Sequence, residues 1–155
     1  MEALNFSIQE CSEQYFQTLQ EYVNAMCLDN RNLQCNEFLI ALVNDELIGF
    51  GRIRDYEDCA ELCSLGVVEA HRNKGVGKKL VISLIKNFYR KNFNHQKNLY
   101  VVTIIPKYFQ KFGFDIVENS YPSPILEKYN YCVNFLTVPE KYYVMQLIHL
   151  PPNLQ

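Results

Sequence analysis

The sequence predicts a mixed α/β (α+β) fold, in which helices flank a central sheet of about six to seven mostly antiparallel strands. Three observations support this class. Short runs of β-branched and aromatic residues recur along the chain. Two longer stretches show apolar residues at helical spacing, and one strand leads through a glycine-containing loop directly into a helix. The length of 155 residues suits one domain, so residues 1–155 are predicted to form a single domain.

The first half of the chain predicts a strand, a helix and an antiparallel meander of three strands. Residues 4–8 form the first strand, and apolar residues at helical spacing predict a helix over residues 12–26. The polar residues 27–37 are predicted to form a loop or a short helix. The meander has strands at 38–43, 47–54 and 59–67, the first two being joined by the turn Asn44-Asp45-Glu46.

The second half predicts a crossover helix, a parallel strand and a long late excursion. The helix at 76–90 carries a core stripe. The strand at 98–104 should run parallel to the strand at 59–67, because a helix connects the two. A short helix follows and turns at Gly113 into another strand. Residues 119–142 contain three prolines and read as an irregular excursion before the last strand at 143–150.

Composition and charge exclude several classes of protein. The polar start of the chain, MEALNFSIQECSEQ, lacks the basic and apolar parts of a signal peptide, and no apolar run approaches a membrane span. We therefore expect a cytoplasmic protein that does not associate with a membrane. The formal net charge of −2 argues against nucleic acid as a partner, since there is no overall basic excess.

The cysteines predict neither a metal site nor a disulfide framework. No C-x-x-C pair occurs, so zinc-ribbon spacing is absent from the sequence. We expect reduced and mostly buried thiols, as is typical of a cytoplasmic protein. The six positions are Cys11, Cys27, Cys35, Cys59, Cys63 and Cys132.

The stretch VVEAHRNKGVGKKL, residues 67–80, predicts an anion-binding loop. Gly75 and Gly77 let a ligand approach the main chain, and the helix that follows offers N–H groups and the positive end of its dipole. The loop is neither a P-loop nor a dinucleotide fingerprint, because Leu80 stands where the latter needs its third glycine. The alternative interpretation is an ordinary tight turn. The pattern favours a pyrophosphate site with a basic set of residues, namely Arg72, Lys74, Lys78 and Lys79.

The string R-N-K-G-V-G at residues 72–77 matches the [QR]-x-x-G-x-[GA] pattern of the GCN5-related N-acetyltransferases. The strand before it, the next strand NLYVVTI and the segment PKYFQKFGFDIVE, which is similar to the family's "YxKxGF" segment, extend the likeness. The chain resembles that superfamily over about residues 38–118. The resemblance implies the GNAT fold, acetyl-CoA as cosubstrate without a metal, and transfer of an acetyl group to a primary amine.

The resemblance implies that acetyl-CoA binds at the end of the strand at 59–67, at the loop that follows it and at the start of the helix at 76–90. Two later residues would complete the site. Pantetheine would lie beside the strand, and the backbone N–H of Val67 would stabilise the negative charge on the thioester oxygen. The implied cofactor-binding residues are Val67, Val68, Arg72, Asn73, Lys74, Gly75, Val76, Gly77, Lys78, Lys79, Thr103 and Phe109.

Glu61 is a candidate general base. It is the only charge within the apolar run CAELCSLGV, and a partly desolvated carboxylate suits proton abstraction from an amine. The alternative is a structural ion pair with Arg52 or Arg54 on the neighbouring strand. Glu61 lies fourteen positions before Gly75, where the histone-acetylating branch of the superfamily keeps its base. Strand alternation would place its side chain on the face shared by Cys59, Cys63, Leu65 and Val67.

Phe109 departs from the family pattern. Many members place a tyrosine there to protonate the leaving thiolate, and a phenyl ring has no proton to donate. Tyr108 is adjacent, but one residue on a helix rotates a side chain by about 100°. Both aromatic residues are therefore expected to serve packing, and the donor to the thiolate stays open.

The acceptor is predicted to be a small-molecule amine such as an amino acid. The segment VVTIIPKYFQKFGF resembles the acetyltransferase domain of N-acetylglutamate synthases, and an acceptor carboxylate would need an arginine, for which Arg31, Arg52 and Arg54 are candidates. Acceptor residues should lie in 22–37 and 119–142, the latter also a candidate homodimer interface. The alternatives are a protein N-acetyltransferase, a catalytically silent acetyl-CoA-binding module and an unrelated nucleotide-binding phosphate loop.

Overall fold

The computed structural model describes residues 4–92, 97–136 and 138–150. The strands are β1 (Ser7–Glu10), β2 (Phe38–Val43), β3 (Glu46–Asp55), β4 (Cys59–Val67), β5 (Asn98–Thr103), β6 (Phe114–Ile116) and β7 (Tyr143–Leu147). The helices are α1 (Glu13–Ala25), α2 (Val76–Lys91), α3 (Pro106–Gln110) and α4 (Ser123–Phe135), with short 3₁₀ helices at Cys35–Glu37 and Glu69–His71. Within the described ranges, no helix combines the length and the apolarity needed to cross a membrane.

The strands form a mostly antiparallel sheet in the order β1-β2-β3-β4-β5-β7-β6. Strands β4 and β5 pair in parallel, which confirms both the predicted fold class and the predicted crossover through α2. The chain divides into two compact units. The first consists of Met1–Ile53 and Cys63–Lys91, the second of Arg54–Leu62 and Asn92–Gln155. Strand β4 contributes residues to each unit.

The core of the first unit follows the apolar patterns of the sequence. Helix α1 buries Leu19 and Val23 against β2 and β3, and α2 buries the predicted stripe along its length. The hairpin between β2 and β3 turns on two residues, Asn44 and Asp45, which both have positive φ. The predicted three-residue turn is thus one residue too long, because two residues with positive φ make the favoured tight hairpin turn.

Helix α4 in the second unit corrects the prediction of an irregular excursion over residues 119–142. Two prolines at its start suit the first turn of a helix, where no intrahelical N–H bond is lost. Its buried positions are Ile125, Lys128 and Cys132. Because one of these three is a lysine, the apolar period of the helix is too weak to be recognised in the sequence.

The two terminal strands differ from their predicted bounds. Strand β1 begins at Ser7 rather than at residue 4, since its pairing with β2 runs from Ser7 to Glu10. Strand β7 ends at Leu147 rather than at residue 150. The next two residues leave the strand, and their N–H groups, those of Ile148 and His149, both donate to the carbonyl oxygen of Gly113.

Gly113→Ala is expected to lower the free energy of unfolding by about 2–4 kcal/mol, which combines the cost of a left-handed residue with that of overpacking. Gly113 has φ +99°, and an added Cβ would collide with the carbonyl oxygen of His149. Gly75→Ala is the matched control, because Gly75 has φ +84° but no atom within 4 Å of the added Cβ. Urea denaturation of both variants should show the larger loss at Gly113, and equal losses would contradict the expected collision.

Candidate active site

The loop before α2 has the backbone geometry of an anion site. Asn73 and Gly75 both have positive φ, at 64° and 84°, and left-handed residues of this kind occur in backbone nests, where successive N–H groups converge on an anion. The N–H of Lys79 donates to the carbonyl of Gly75 at 3.1 Å and opens the helix. The helix offers the unpaired N–H groups and positive dipole end of its first turn, and the space above Gly75 is open.

The charges around this loop are basic and mostly exposed. Arg72, Lys74 and Lys78 are exposed, and the first turn of α2 contains no acidic residue. The Nε of Arg72 donates to the carbonyl oxygen of Val67 at 2.8 Å, which holds the guanidinium beside the end of β4. Lys79 instead places its Nζ 5.4 Å from the centroid of the Phe6 ring. The loop therefore offers an anion both backbone donors and exposed positive charge.

The end of β4 is shaped by Ser64, a residue the sequence did not single out. Ser64 is buried within the strand and has φ 52°, a left-handed conformation that departs from the extended backbone of a strand. Strict alternation of side chains is interrupted there, so it cannot place Leu65 or Val67 on the face of Glu61 as predicted. After β4, the N–H of Val68 donates to the carbonyl of Ile48 at 2.8 Å, whereas the role of the Val67 N–H stays a prediction.

Arg52 is fully buried and its five N–H donors all have acceptors. Nε donates to Ser64 Oγ at 3.0 Å, and the two terminal nitrogens divide the remaining bonds between Glu37 and three backbone carbonyls. Those carbonyls belong to Asp29, Arg31 and Asn32, at 3.4, 3.0 and 3.3 Å. Ser64 Oγ in turn donates to the carbonyl of Asp29 at 2.7 Å. This network ties residues 29–32 to β3 and β4.

This network removes Arg52 from the candidates for binding an acceptor carboxylate. Its hydrogen-bonding capacity is used within the protein, and no part of its side chain is exposed. Burial alone would lower the Arg52 pKa, but electrostatic interactions with Cys63, Glu37 and Asp29 outweigh it and raise the pKa above the ordinary value. Arg52 is thus a permanently charged structural residue, a role that sequence position alone could not distinguish from substrate binding.

Glu61 lies in the second unit and is fully buried. Its Oε2 accepts a hydrogen bond from Lys128 Nζ at 2.6 Å, and its Oε1 accepts one from the hydroxyl of Tyr56 at 3.1 Å. Lys128 itself is only 4% exposed. The structure therefore contains the buried ion pair that was the alternative to a base, but with Lys128 as the partner. The sequence did not predict this partner because it lies on α4, the helix that sequence patterns missed.

Residues 2–114 match the family model described as acetyltransferase (GNAT) family. This chain belongs to the GNAT acetyltransferase family. The match covers more than half of the chain and includes both the basic loop and Glu61. Among curated proteins, none matches the sequence.

Several solved structures share the fold of this chain at low sequence identity. N-acetylglutamate synthase from Neisseria gonorrhoeae, complexed with coenzyme A and N-acetyl-glutamate, gives a TM-score of 0.69 at 16% identity and covers 96% of this chain. Rv2747 from Mycobacterium tuberculosis, in complex with CoA and NLQ, gives a TM-score of 0.72 at 17% identity. The match covers 93% of this chain and 99% of the Rv2747 chain. Naa50 from Arabidopsis thaliana, in complex with the bisubstrate analogue CoA-Ac-MVNAL, gives a TM-score of 0.65 at 18% identity. The match covers 93% of this chain and 99% of the Naa50 chain. The match spans only 36% of the length of the synthase.

The two later residues assigned to the GNAT cofactor site lie in the second unit. Thr103 is buried, and its Oγ1 accepts the N–H of Ile105 at 3.0 Å. Phe109 is 4% exposed and packs against the rings of Tyr108, Phe112 and Phe114. Packing is therefore the observed role of Phe109, and a contact of either residue with acetyl-CoA stays a prediction.

Phe109→Tyr is expected to keep turnover within a few-fold while costing about 1–3 kcal/mol of stability, since it buries a hydroxyl among aromatic rings. Burial raises the pKa of the Tyr108 phenol, so this hydroxyl stays protonated at neutral pH. Tyr108→Phe should change turnover less than about tenfold, because a shift of one residue along a helix rotates the side chain by about 100° from the family's acid position. A hundredfold loss in a folded Tyr108→Phe protein would instead identify Tyr108 as the donor to the thiolate.

A cleft of about 750 Å³ opens beside α3 in the second unit. Its walls combine apolar side chains, two tyrosines and three lysines, with one carboxylate from Glu140. The polar lining residues besides Glu140 are Lys107, Lys111, Lys141, Tyr108 and Tyr143. The excess of positive charge suits a ligand that carries a carboxylate or another anionic group. Sequence reasoning missed this cleft because its lysines come from two separate segments, Lys107 and Lys111 at α3 and Lys141 before β7.

Proposed function

We propose that this protein transfers the acetyl group of acetyl-CoA to the primary amine of a small molecule such as an amino acid. The observation that carries the proposal is the open basic loop at the start of α2, where Asn73 and Gly75 have positive φ. A pyrophosphate is the ligand such a loop suits, because backbone N–H groups, helix dipole and basic side chains converge on it.

Cofactor binding would begin at this loop and continue along the end of β4. The pyrophosphate would accept bonds from the loop backbone and the first turn of α2, and Arg72 would add a charge-assisted bond. Pantetheine would follow the backbone of Val67 and Val68, with Thr103 and Phe109 as the remaining proposed contacts. The other residues proposed for the pyrophosphate are Lys74, Val76, Gly77, Lys78 and Lys79.

Glu61 is proposed as the group that takes the proton of the acceptor. An ionised carboxylate can accept a proton, and a protonated amine must lose one before it attacks a thioester. Glu61 is fully buried, whereas Tyr56 is partly exposed and already donates to Oε1. The proton would therefore pass through Tyr56, whose oxygen takes a proton from the amine as its own proton moves to Glu61.

The remaining chemistry needs little from the protein. Attack of the amine on the thioester carbonyl develops negative charge on oxygen, which the backbone N–H of Val67 would stabilise. Collapse releases the thiolate of coenzyme A, whose pKa of about 8.5 makes it a tolerable leaving group without an acid. Because the thiolate can leave without an acid, acetyl transfer would not need a tyrosine in place of Phe109.

The acceptor is proposed to carry a carboxylate. The lysines of the cleft beside α3, rather than the buried Arg52, are the charges available to it. The N-acetyl-glutamate in the synthase complex is the product of such an acceptor. Arg31 is a weaker candidate, because its guanidinium already pairs with Asp29 at 2.9 Å.

Two alternatives have a specific observation in their favour. The peptide-bearing bisubstrate analogue on Naa50 supports a protein N-acetyltransferase. The packed Phe109, which replaces a proton donor, supports a catalytically silent module that only binds acetyl-CoA.

Four further expectations stay predictions. They are a single domain over residues 1–155, a cytoplasmic location, the absence of nucleic-acid and membrane partners, and a homodimer.

A panel of acceptors tests the proposal. The protein is incubated with acetyl-CoA and either amino acids, amines without a carboxylate, or peptides with a free amino terminus, and free coenzyme A thiol is measured. Thiol release with carboxylate-bearing small amines is the expected result. Release with peptides alone would support a protein N-acetyltransferase, and acetyl-CoA binding without release would support the silent module.

A further inference from the structure

Two thiols meet in the first unit, away from the residues proposed for catalysis and cofactor binding. The Sγ of Cys35 donates to the carbonyl oxygen of Cys11 at 3.5 Å, and the Sγ of Cys11 donates to the carbonyl oxygen of the next residue, Ser12, at 3.5 Å. Both residues are partly exposed. The pair therefore combines proximity with access for a small reagent.

The backbone holds both cysteines in place. Cys11 directly follows β1, and its N–H donates to the carbonyl of Phe38 at 3.0 Å, which extends the pairing of β1 with β2 by one step. Cys35 opens the 3₁₀ helix Cys35–Glu37, which leads straight into β2. The pairing of β1 with β2 thus places the backbones of the two cysteines close together.

We propose that Cys11 and Cys35 form a modification site, a dithiol that a low-molecular-weight disulfide such as oxidised glutathione converts to an intramolecular disulfide. The thiolate of Cys35 attacks the reagent, forms a mixed disulfide and releases one glutathione thiol. The thiolate of Cys11 then attacks Sγ of Cys35 and releases the second. The two protein thiols lose two protons and two electrons, and the reagent is reduced to two thiols.

The order of the two steps follows from the surroundings of Cys11. Burial, the hydrogen bond and charge of Cys35, and the charge of Glu13 raise the pKa of the Cys11 thiol to about 12. Its thiolate is therefore scarce, and the first attack falls to Cys35. The second attack needs only that Cys11 lie beside the mixed disulfide, and the 3.5 Å contact of Cys35 Sγ with the Cys11 carbonyl oxygen places it there.

The disulfide would restrain a segment that other contacts already anchor at one side. It would join residues 24 positions apart and enclose α1 together with residues 27–34. The buried Arg52 network holds this loop at the carbonyls of Asp29, Arg31 and Asn32. Oxidation would therefore restrict the motion of residues 27–34, which lie within the segment 22–37 that is predicted from the sequence to bind the acceptor.

The test uses the full chain treated with oxidised glutathione under mildly alkaline conditions. Remaining thiols are alkylated, the protein is digested without reductant, and cross-linked peptides are measured by mass spectrometry. We expect a Cys11–Cys35 peptide pair, reversed by dithiothreitol, at about tenfold or more over any other pair, since disulfide geometry is restrictive. Cys27 is exposed and serves as an internal reporter that should carry glutathione.

Two variants make the result decisive. Cys27→Ser should keep the cross-link, and Cys35→Ser should abolish it. Complete modification of Cys27 while Cys11 and Cys35 stay uncross-linked would overturn the proposal. So would a less than tenfold excess of the pair, or cross-links that vanish in Cys27→Ser, because the thiols would then react through exposure and not through their shared position.

Discussion

Gly75→Val is expected to abolish measurable acetyl-CoA binding while the protein stays folded. The added side chain would fill the space above the loop, where no atom lies within 4 Å of a Cβ on Gly75, and this is where the pyrophosphate is proposed to lie. The φ of +84° adds strain of about 1–2 kcal/mol for a residue with a side chain. Calorimetric titration with acetyl-CoA measures the binding, and circular dichroism checks the fold.

A graded series separates steric blocking from lost charge. Arg72→Ala leaves the backbone of the loop unchanged and should weaken binding by about 1–3 kcal/mol, the range of a charge-assisted hydrogen bond. Lys79→Ala should weaken it less, since the Lys79 ammonium lies over the Phe6 ring. Wild-type affinity in Gly75→Val would remove the basis for placing the pyrophosphate at this loop, whatever Arg72→Ala shows.

The backbone geometry of the loop before α2 is predictable from sequence because it is local. Gly75 and the helix that follows are neighbours in the chain. The positive φ open to glycine and the unpaired N–H groups at the helix start can therefore be predicted from adjacent residues. The left-handed conformation of Asn73 follows the same rule, since asparagine tolerates positive φ better than most residues. Helix α2 is predictable for the same reason, as its buried residues recur at helical spacing.

The contacts of Glu61 and Arg52 are not predictable because they join distant parts of the chain. Lys128 is 67 positions from Glu61 and lies on a helix whose buried face contains a charge. The acceptors of Arg52 are mainly backbone carbonyls of a loop, and side-chain identities carry no information about them. The positive φ of Ser64 is equally hidden, since serine has no marked preference for that conformation and tertiary bonds to Arg52 and Asp29 hold it.

Glu61→Gln is expected to lower the free energy of unfolding by about 3–5 kcal/mol, because it leaves the buried Lys128 ammonium without its anion. Lys128→Met should cost a similar amount for the converse reason. Glu127→Gln is the matched control, since Glu127 lies next to Lys128 on the same helix but is exposed. Urea denaturation should show a change of less than about 0.5 kcal/mol for this control. A loss at Glu61 no larger than that would contradict the ion pair.

The double variant Glu61→Gln/Lys128→Met separates the structural role of Glu61 from its proposed role as a base. It removes both charges together, so most of the lost stability should return. If Glu61 is the base, this folded protein should bind acetyl-CoA normally and lose turnover by about 10²–10⁴. Tyr56→Phe should then also slow turnover while keeping the Glu61–Lys128 pair. A double variant with wild-type turnover on the best acceptor would leave the pair a purely structural feature, and the amine would lose its proton by another route.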